Sequence, residues 1–362
     1  MPITFDKGTA LRILRAMRSG SLSMPGRRAR TGIVGPTPPE GVRWTRRRVL
    51  SELPGVIGAS LGDAGVDVVV PRVEDRLKAK GVRNTVYEKA VLGKSFILLR
   101  DGIAIPTPEL LFFEMREEHD VLGLALLGME LCGGYALPWN GVGEPAYGVK
   151  PVTTAERLRS FIRRAPSLPG IDHAREAAGL VQDNCWSPME APLVAFAGDG
   201  PDGLGFGIGK VVVNRREGAR DPSLASKESR VPDIMFADTP VGINYDGGGH
   251  YDIDRVARAA LAATGEVGRA DIWKELEAVK REVRAKYADD RRRERDLWAD
   301  GLTVFTATKE DLYEEGALDL LMAQVIEAIH RTTGRDMGRQ REALLDPETA
   351  RRRQELLRSA LS

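Results

Sequence analysis

Val231-Pro232-Asp233-Ile234-Met235-Phe236, followed by Val241-Gly242-Ile243-Asn244-Tyr245-Asp246-Gly247-Gly248-Gly249-His250, decides how this chain is read. Two short apolar runs predict β-strands, and Asp238-Thr239-Pro240 predicts the turn that joins them. Side chains alternate between faces along a strand, so Asn244 and Asp246 share a face. As hairpin neighbours, the strands bring Asp233 against that pair. Two carboxylates and an amide at one sheet edge, with an imidazole four residues beyond Asp246, offer oxygen ligands to a hard cation and a group that moves protons near neutral pH. Such a site suits phosphodiester hydrolysis, because a divalent ion polarises the phosphate and acidifies a bound water.

Working outward, Pro232-Asp233, then a strand with an amide two residues before Asp246, resembles the restriction-endonuclease-like superfamily with its PD-(D/E)XK motif. It is more similar to the very-short-patch-repair-type nucleases, in which a strand ending in E-x-D-G is followed by a His. Asp290-x-x-Arg293-x-x-x-Leu297-x-x-x-Gly301-x-x-Val304, then Thr308-x-x-Asp311-Leu312, is similar to that group's closing helix, strand and helix. Ser187-Pro188-Met189-Glu190-x-x-Leu193 resembles the helix that opens its domain, so the resemblance spans about residues 187 to 315.

This resemblance implies a metal-dependent DNA endonuclease, with Asp233, Asp246, His250 and Glu190 as the catalytic set. Mg²⁺ or Mn²⁺ would be held by Asp233, Asp246 and Asn244, with Glu190 a ligand or outer partner, and Arg293 would lie toward the active edge. Asn244 departs from the pattern, since the family usually has Glu there. An amide oxygen ligates such ions but brings no charge, and charge count sets much of the affinity. The alternative is therefore a nuclease fold that has lost catalysis and serves as a DNA-binding regulator or antitoxin-like component.

At 362 residues the chain exceeds one average domain. Hydrophobic content of 42% supports a full core. Fifty-three Lys and Arg balance 52 Asp and Glu, so an argument for nucleic acid rests on local clusters and not on net charge. Arg46 and Arg47, beside Trp44, form one such cluster. Arg291, Arg292, Arg293 and Arg295 alternate with acids on a helix whose ordinary reading is a solvated face, with Arg293 the exception. Cys132 and Cys185 lack metal-site spacing and read as buried small residues. Walker loop, G-x-S-x-G and H-E-x-x-H motifs are missing, which disfavours ATPase, esterase and zinc-protease chemistry. The start, Met1 to Lys7, has no signal pattern, and the apolar run Val121 to Leu137 is interrupted by Glu130 and glycines. A cytoplasmic protein without membrane contact is expected, with DNA as partner and room for a protein partner.

The fold expectation is α/β: a restriction-endonuclease-like mixed sheet flanked by helices in the C-terminal half, preceded by an α+β domain. Residues 1–185 form the first domain, 186–330 the nuclease-like domain with a helical insertion near 255–288, and 331–362 a charged helical tail. Strands are expected near Gly207–Asn214, Val231–Phe236, Val241–Asp246 and Thr303–Thr306, in one sheet. In the N-terminal half, Thr9–Met17 and Trp44–Leu53 predict helices around a Pro/Gly-rich loop over 25–41. Val66–Val70, Thr85–Tyr87, Ser95–Leu99 and Ile103–Ile105 predict strands. Ile105-x-x-Pro108-Glu109 and Leu127-Gly128-x-Glu130-Leu131-Cys132-Gly133 make residues 60 to 185 loosely similar to AbiEi-type antitoxins of type IV toxin–antitoxin systems.

Overall fold

Val66-Asp67-Val68-Val69-Val70 carries the β-branched residues that favour a pleated, buried backbone, and all five positions are buried. The computed structural model that contains this strand describes residues 3–23, 29–33, 43–61, 64–87, 94–100, 102–165, 169–198, 200, 203–221, 223, 225–227, 229–246, 269–344 and 346–361. The protein is mixed α/β and divides into two compact units, Met1–Ala195 and Phe196–Ser362. Among the described residues, no helix is long and apolar enough to cross a membrane.

In the first unit, strands β1 (Ile3–Phe5), β2 (Ala29–Thr31), β3 (Val66–Val70), β4 (Val82–Val86), β5 (Phe96–Arg100) and β6 (Ile103–Pro106) form one sheet in the order β2-β5-β6-β1-β3-β4. It is mixed: β1 runs parallel to β6 and antiparallel to β3, and β3 runs parallel to β4. Two strands of this sheet escape the sequence expectation. β1 is too short to show a period, and β2 lies inside the Pro/Gly-rich loop, where pairing with β5 supplies what local propensity does not.

Among the described residues up to 197, the α-helices are α1 (Lys7–Arg18), α2 (Arg46–Glu52), α3 (Gly55–Ser60), α4 (Pro108–Glu114), α5 (Val121–Cys132), α6 (Ala155–Arg164), α7 (Ile171–Leu180) and α8 (Glu190–Ala197). α4 and α5 are separate helices, and Asp120 caps α5 with its carboxylate accepting from Gly123 N–H at 2.7 Å. α5 is apolar on nearly every face, as suits a helix enclosed by others. Its one buried charge, Glu130, meets a fork from α1: Arg15 Nε and Nη2 donate to its two oxygens at 2.9 and 2.6 Å. Arg18 donates to the Glu130 and Gly133 carbonyls. A short hairpin, β7 (Tyr135–Ala136) with β8 (Ala146–Tyr147), follows.

Carboxylates also gather where β1 turns into α1. Asp6 is fully buried, and neither of its oxygens has a hydrogen-bond partner of ordinary geometry. Burial pushes its carboxyl up to about 7; the Thr85 hydroxyl offsets part of that rise, and the charge of Asp67 adds to it. Asp67 is itself held by Thr9 N–H and Oγ1 and by Arg83 Nε. Glu114 is raised well above the carboxylate range by burial and by Asp6, although the Tyr87 hydroxyl and Lys7 N–H donate to it.

In the second unit, β9 (Val211–Val213), β12 (Ile234–Phe236), β13 (Val241–Asp246) and β14 (Thr303–Thr308) form a four-stranded sheet in the order β14-β13-β12-β9, while β10 (Glu217–Gly218) and β11 (Ser229–Arg230) pair separately. The four segments expected to share a sheet do so. β9 is shorter than expected because Gly207 and Gly209 take positive φ, +59° and +119°, and interrupt the extended backbone before Val211. β12 and β13 are an antiparallel hairpin whose turn sets Asp238 at φ +60°, a conformation that Asp tolerates. β14 is parallel to β13, so a crossover must connect them.

The described part of that crossover is α9 (Arg269–Ala299), one rod about 46 Å long that joins residues 269–288 of the expected insertion to the Asp290–Leu297 helix; residues 255–268 of that insertion lie outside the described residues. α10 (Lys309–Tyr313), α11 (Ala317–Thr333), α12 (Gly338–Leu344) and α13 (Pro347–Leu361) follow β14. The charged segment expected as a tail is packed into this unit. Arg353 is 1% exposed, lies over the Phe206 ring, donates to the Leu204 carbonyl at 2.7 Å and pairs with Asp319.

Candidate functional site

The hairpin register pairs Ile234 with Ile243 and Met235 with Gly242, so Asp233 stands opposite Asn244 just before β12 begins. Continuing the alternation, Asn244 and Asp246 point to one face, aligned in the parallel pairing with Thr306 and Thr308 of β14. α9 packs along this unit on a face that buries Val279, Asp296 and Leu297, and Arg293 projects from it toward the sheet.

Arg293 Nη2 is the hub of the site. It donates to Asn244 Oδ1 at 2.8 Å, to the Val231 carbonyl, and over 3.4 Å to Asp233 Oδ1. Asn244 Oδ1 also accepts the Asp233 backbone N–H at 3.2 Å, and Asp233 Oδ2 accepts the Tyr245 N–H at 2.6 Å. Burial raises the Asp233 carboxyl above its usual range, while the Arg293 charge and the Tyr245 N–H pull the other way.

Asp246 lies beside further acids. With Asn244, Tyr245, Asp290, Arg291, Arg293, Glu294 and Thr306 it lines a cavity of about 250 Å³. The Asp290 carboxyl is raised first by burial and then by the negative charge of Asp246, with Lys286 and Arg293 offsetting part of the effect. The charge of Arg293 acts on both Asp233 and Asp290, and Asp246 and Asp289 are the carboxylates acting on Asp290. Asp290 is the site residue that sequence reasoning passed over. Its signal was its place three residues before Arg293, on the same helix face.

The donors expected for a divalent ion fit one poorly in this arrangement. Asn244 Oδ1 already accepts two hydrogen bonds, and a guanidinium stands beside Asp233 where a cation would sit. Among the described residues, no group of three or more His, Cys, Asp or Glu is placed to hold a metal ion.

His250 lies outside the described residues. Glu190, in the first unit, is 5% exposed and is held at the start of its helix: its N–H donates to Ser187 Oγ at 3.2 Å and its carboxylate accepts from Trp186 N–H at 3.0 Å. Arg46 Nη2 donates to the Ala64 carbonyl at 2.8 Å and its stem packs on Gly81, which leaves Arg47 as the exposed cation of that pair. Trp44 beside them is buried. Comparison with protein-family models, with curated proteins and with solved structures returns no match to this chain.

Proposed function

We propose that the second unit is a nuclease-like module in which Arg293 takes the position of the catalytic cation, and that the chain binds nucleic acid without cleaving it through a metal ion. The observation that carries this reading is the Nη2 group of Arg293, hydrogen-bonded at once to Asn244 Oδ1, Asp233 Oδ1 and the Val231 carbonyl. The substitution pattern is electrostatically consistent. A divalent ion needs acidic oxygens on both strands, whereas a guanidinium needs one carboxylate and is satisfied by neutral amide and carbonyl acceptors. Asn244 in place of the acid expected at its position therefore matches a single fixed positive charge. Nucleic acid as the partner follows from the resemblance of residues 187–315 to restriction-endonuclease-like proteins. A regulatory or antitoxin-like role follows from the same resemblance once cleavage is removed.

The second reading, a Mg²⁺- or Mn²⁺-dependent DNA endonuclease using Asp233, Asp246 and His250, is favoured by one observation. Asp246 and Asp290 line a common cavity beside the sheet edge and leave acidic charge there. Incubating the full chain with supercoiled plasmid and labelled duplex in Mg²⁺ or Mn²⁺ separates the two. The first reading expects DNA binding that persists in EDTA and no nicking. Nicking that disappears in Asp233→Ala would overturn it in favour of the second.

A further inference from the structure

We propose that the solvent-facing stripe of α9 formed by Arg284, Tyr287, Arg291, Arg295 and Trp298 binds single-stranded nucleic acid. The proposal deepens the nucleic-acid reading above and rests on it. These residues are spaced by three, four, four and three positions, which sets them along one line of a helix. That line is opposite the face burying Val279 and Leu297. Charges alone would be an ordinary solvated face. The aromatic residues change that reading: Trp298 is 80% exposed and Tyr287 is 46% exposed, although large rings are normally buried.

The Arg291 guanidinium sits 5.2 Å from the centre of the Tyr287 ring, so cation and ring already present a joint surface. Arg281 and Arg292 are exposed on one flank, while Glu294, which pairs with Arg291 at 2.8 Å, is the acid on the other. A row of cations interleaved with exposed rings matches a polyanion whose bases are free to stack, since guanidinium groups meet phosphates and rings meet base faces. In a duplex those faces are covered by their neighbours, which selects the single strand. Arg284 to Trp298 covers about 21 Å, long enough to contact several successive nucleotides. Arg291 also lines the cavity beside Asp246, so the stripe is continuous with the sheet-edge site.

The test is fluorescence anisotropy of a labelled twenty-residue oligothymidine, and of a duplex of equal length, with the full chain at two salt concentrations. Trp298→Ala and Tyr287→Ala are each expected to weaken oligothymidine binding about 5- to 100-fold while leaving duplex affinity within about twofold. Arg295→Gln should lower the salt slope on the single strand by about 0.7. Far-UV circular dichroism shows that each variant is folded, as expected for exposed positions. Oligothymidine affinity unchanged in both aromatic variants refutes the stripe and leaves nucleic-acid binding by the module standing. Failure of the wild type to bind either oligonucleotide refutes both. Tighter binding of polyglutamate than of oligothymidine refutes the stripe as a nucleic-acid surface and marks it as a protein contact.

Discussion

Replacing Asp6 by Asn removes a buried charge without changing the shape of the side chain, and its effect on stability should depend on pH. In the folded chain the Asp6 carboxyl titrates at about 7, against 3.8 when unconstrained. Between those values the folded state holds a proton that the unfolded state has released. This group therefore imposes no penalty below pH 3.8 and a growing one as pH rises toward 7, with a plateau beyond. Three units at about 1.4 kcal/mol each set a ceiling of about 4 kcal/mol on the plateau.

The groups facing Asp6 are Asp67 from β3, Thr85 from β4, Glu114 from α4, and Lys7 and Arg83, so two acids offset two cations and burial is left as the dominant effect. The amide introduced by Asp6→Asn carries no charge at any pH. Urea unfolding of wild type and Asp6→Asn at pH 5, 6, 7 and 8, followed by far-UV circular dichroism, measures the difference. The variant should gain about 2–4 kcal/mol relative to wild type between pH 5 and pH 8. Parallel stability curves for the two proteins across that range, or a variant less stable than wild type at pH 8, would refute the reasoning.

Other perturbations test the packing of the first unit and the anchoring of the second. Arg15→Ala leaves Glu130, 1% exposed, without its cation and should cost about 3–5 kcal/mol in urea unfolding at pH 7; a loss below 1 kcal/mol would show that the fork is not a buried ion pair. Gly128→Ala places a Cβ 2.5 Å from Val181 Cγ2 and 2.9 Å from Phe112 Cε2, so α5 must shift and melting should fall by an amount equivalent to about 1–3 kcal/mol. Truncating the chain after residue 345 removes Arg353 from its contacts with Phe206 and Asp319 and should destabilise the second unit, seen as earlier proteolysis, whereas a dispensable tail would leave the digestion pattern unchanged.

The sheet of the second unit was legible because its strands carry their own signals. Alternation in Val241–Asp246, the turn at Asp238-Thr239, and the β-branched run at Thr303 are local properties, and local properties survive in a sequence. In the first unit, β1 and β2 were not legible, since three residues show no period and both strands exist through partners distant in the chain. Asp233, Asn244 and Arg293 were each singled out from sequence, but their mutual bonding depends on where a long crossover sets α9 against the hairpin. Spacing along the chain carries no information about that placement. Asp246 was expected to share an ion with Asp233; that Asp290 of α9 would stand near it was not legible, because strand alternation fixes a face and not a partner. Asp6 was passed over for the opposite reason. A lone acid between Phe5 and Lys7 looks like a surface residue until the sheet closes around it.

The position of Arg293 is tested most directly by calorimetric titration of Mn²⁺ into wild type, Asn244→Glu, and the double variant Asn244→Glu with Arg293→Met. If the guanidinium takes the place of the cation, wild type binds no Mn²⁺ at this site. Asn244→Glu alone gains little, because its new carboxylate pairs with Arg293 beside Asp233. The double variant leaves two carboxylates without a compensating charge and acquires Mn²⁺ binding that Asp233→Ala abolishes. Stoichiometric Mn²⁺ binding by the wild type, lost in Asp233→Ala and not strengthened in the double variant, would contradict the account.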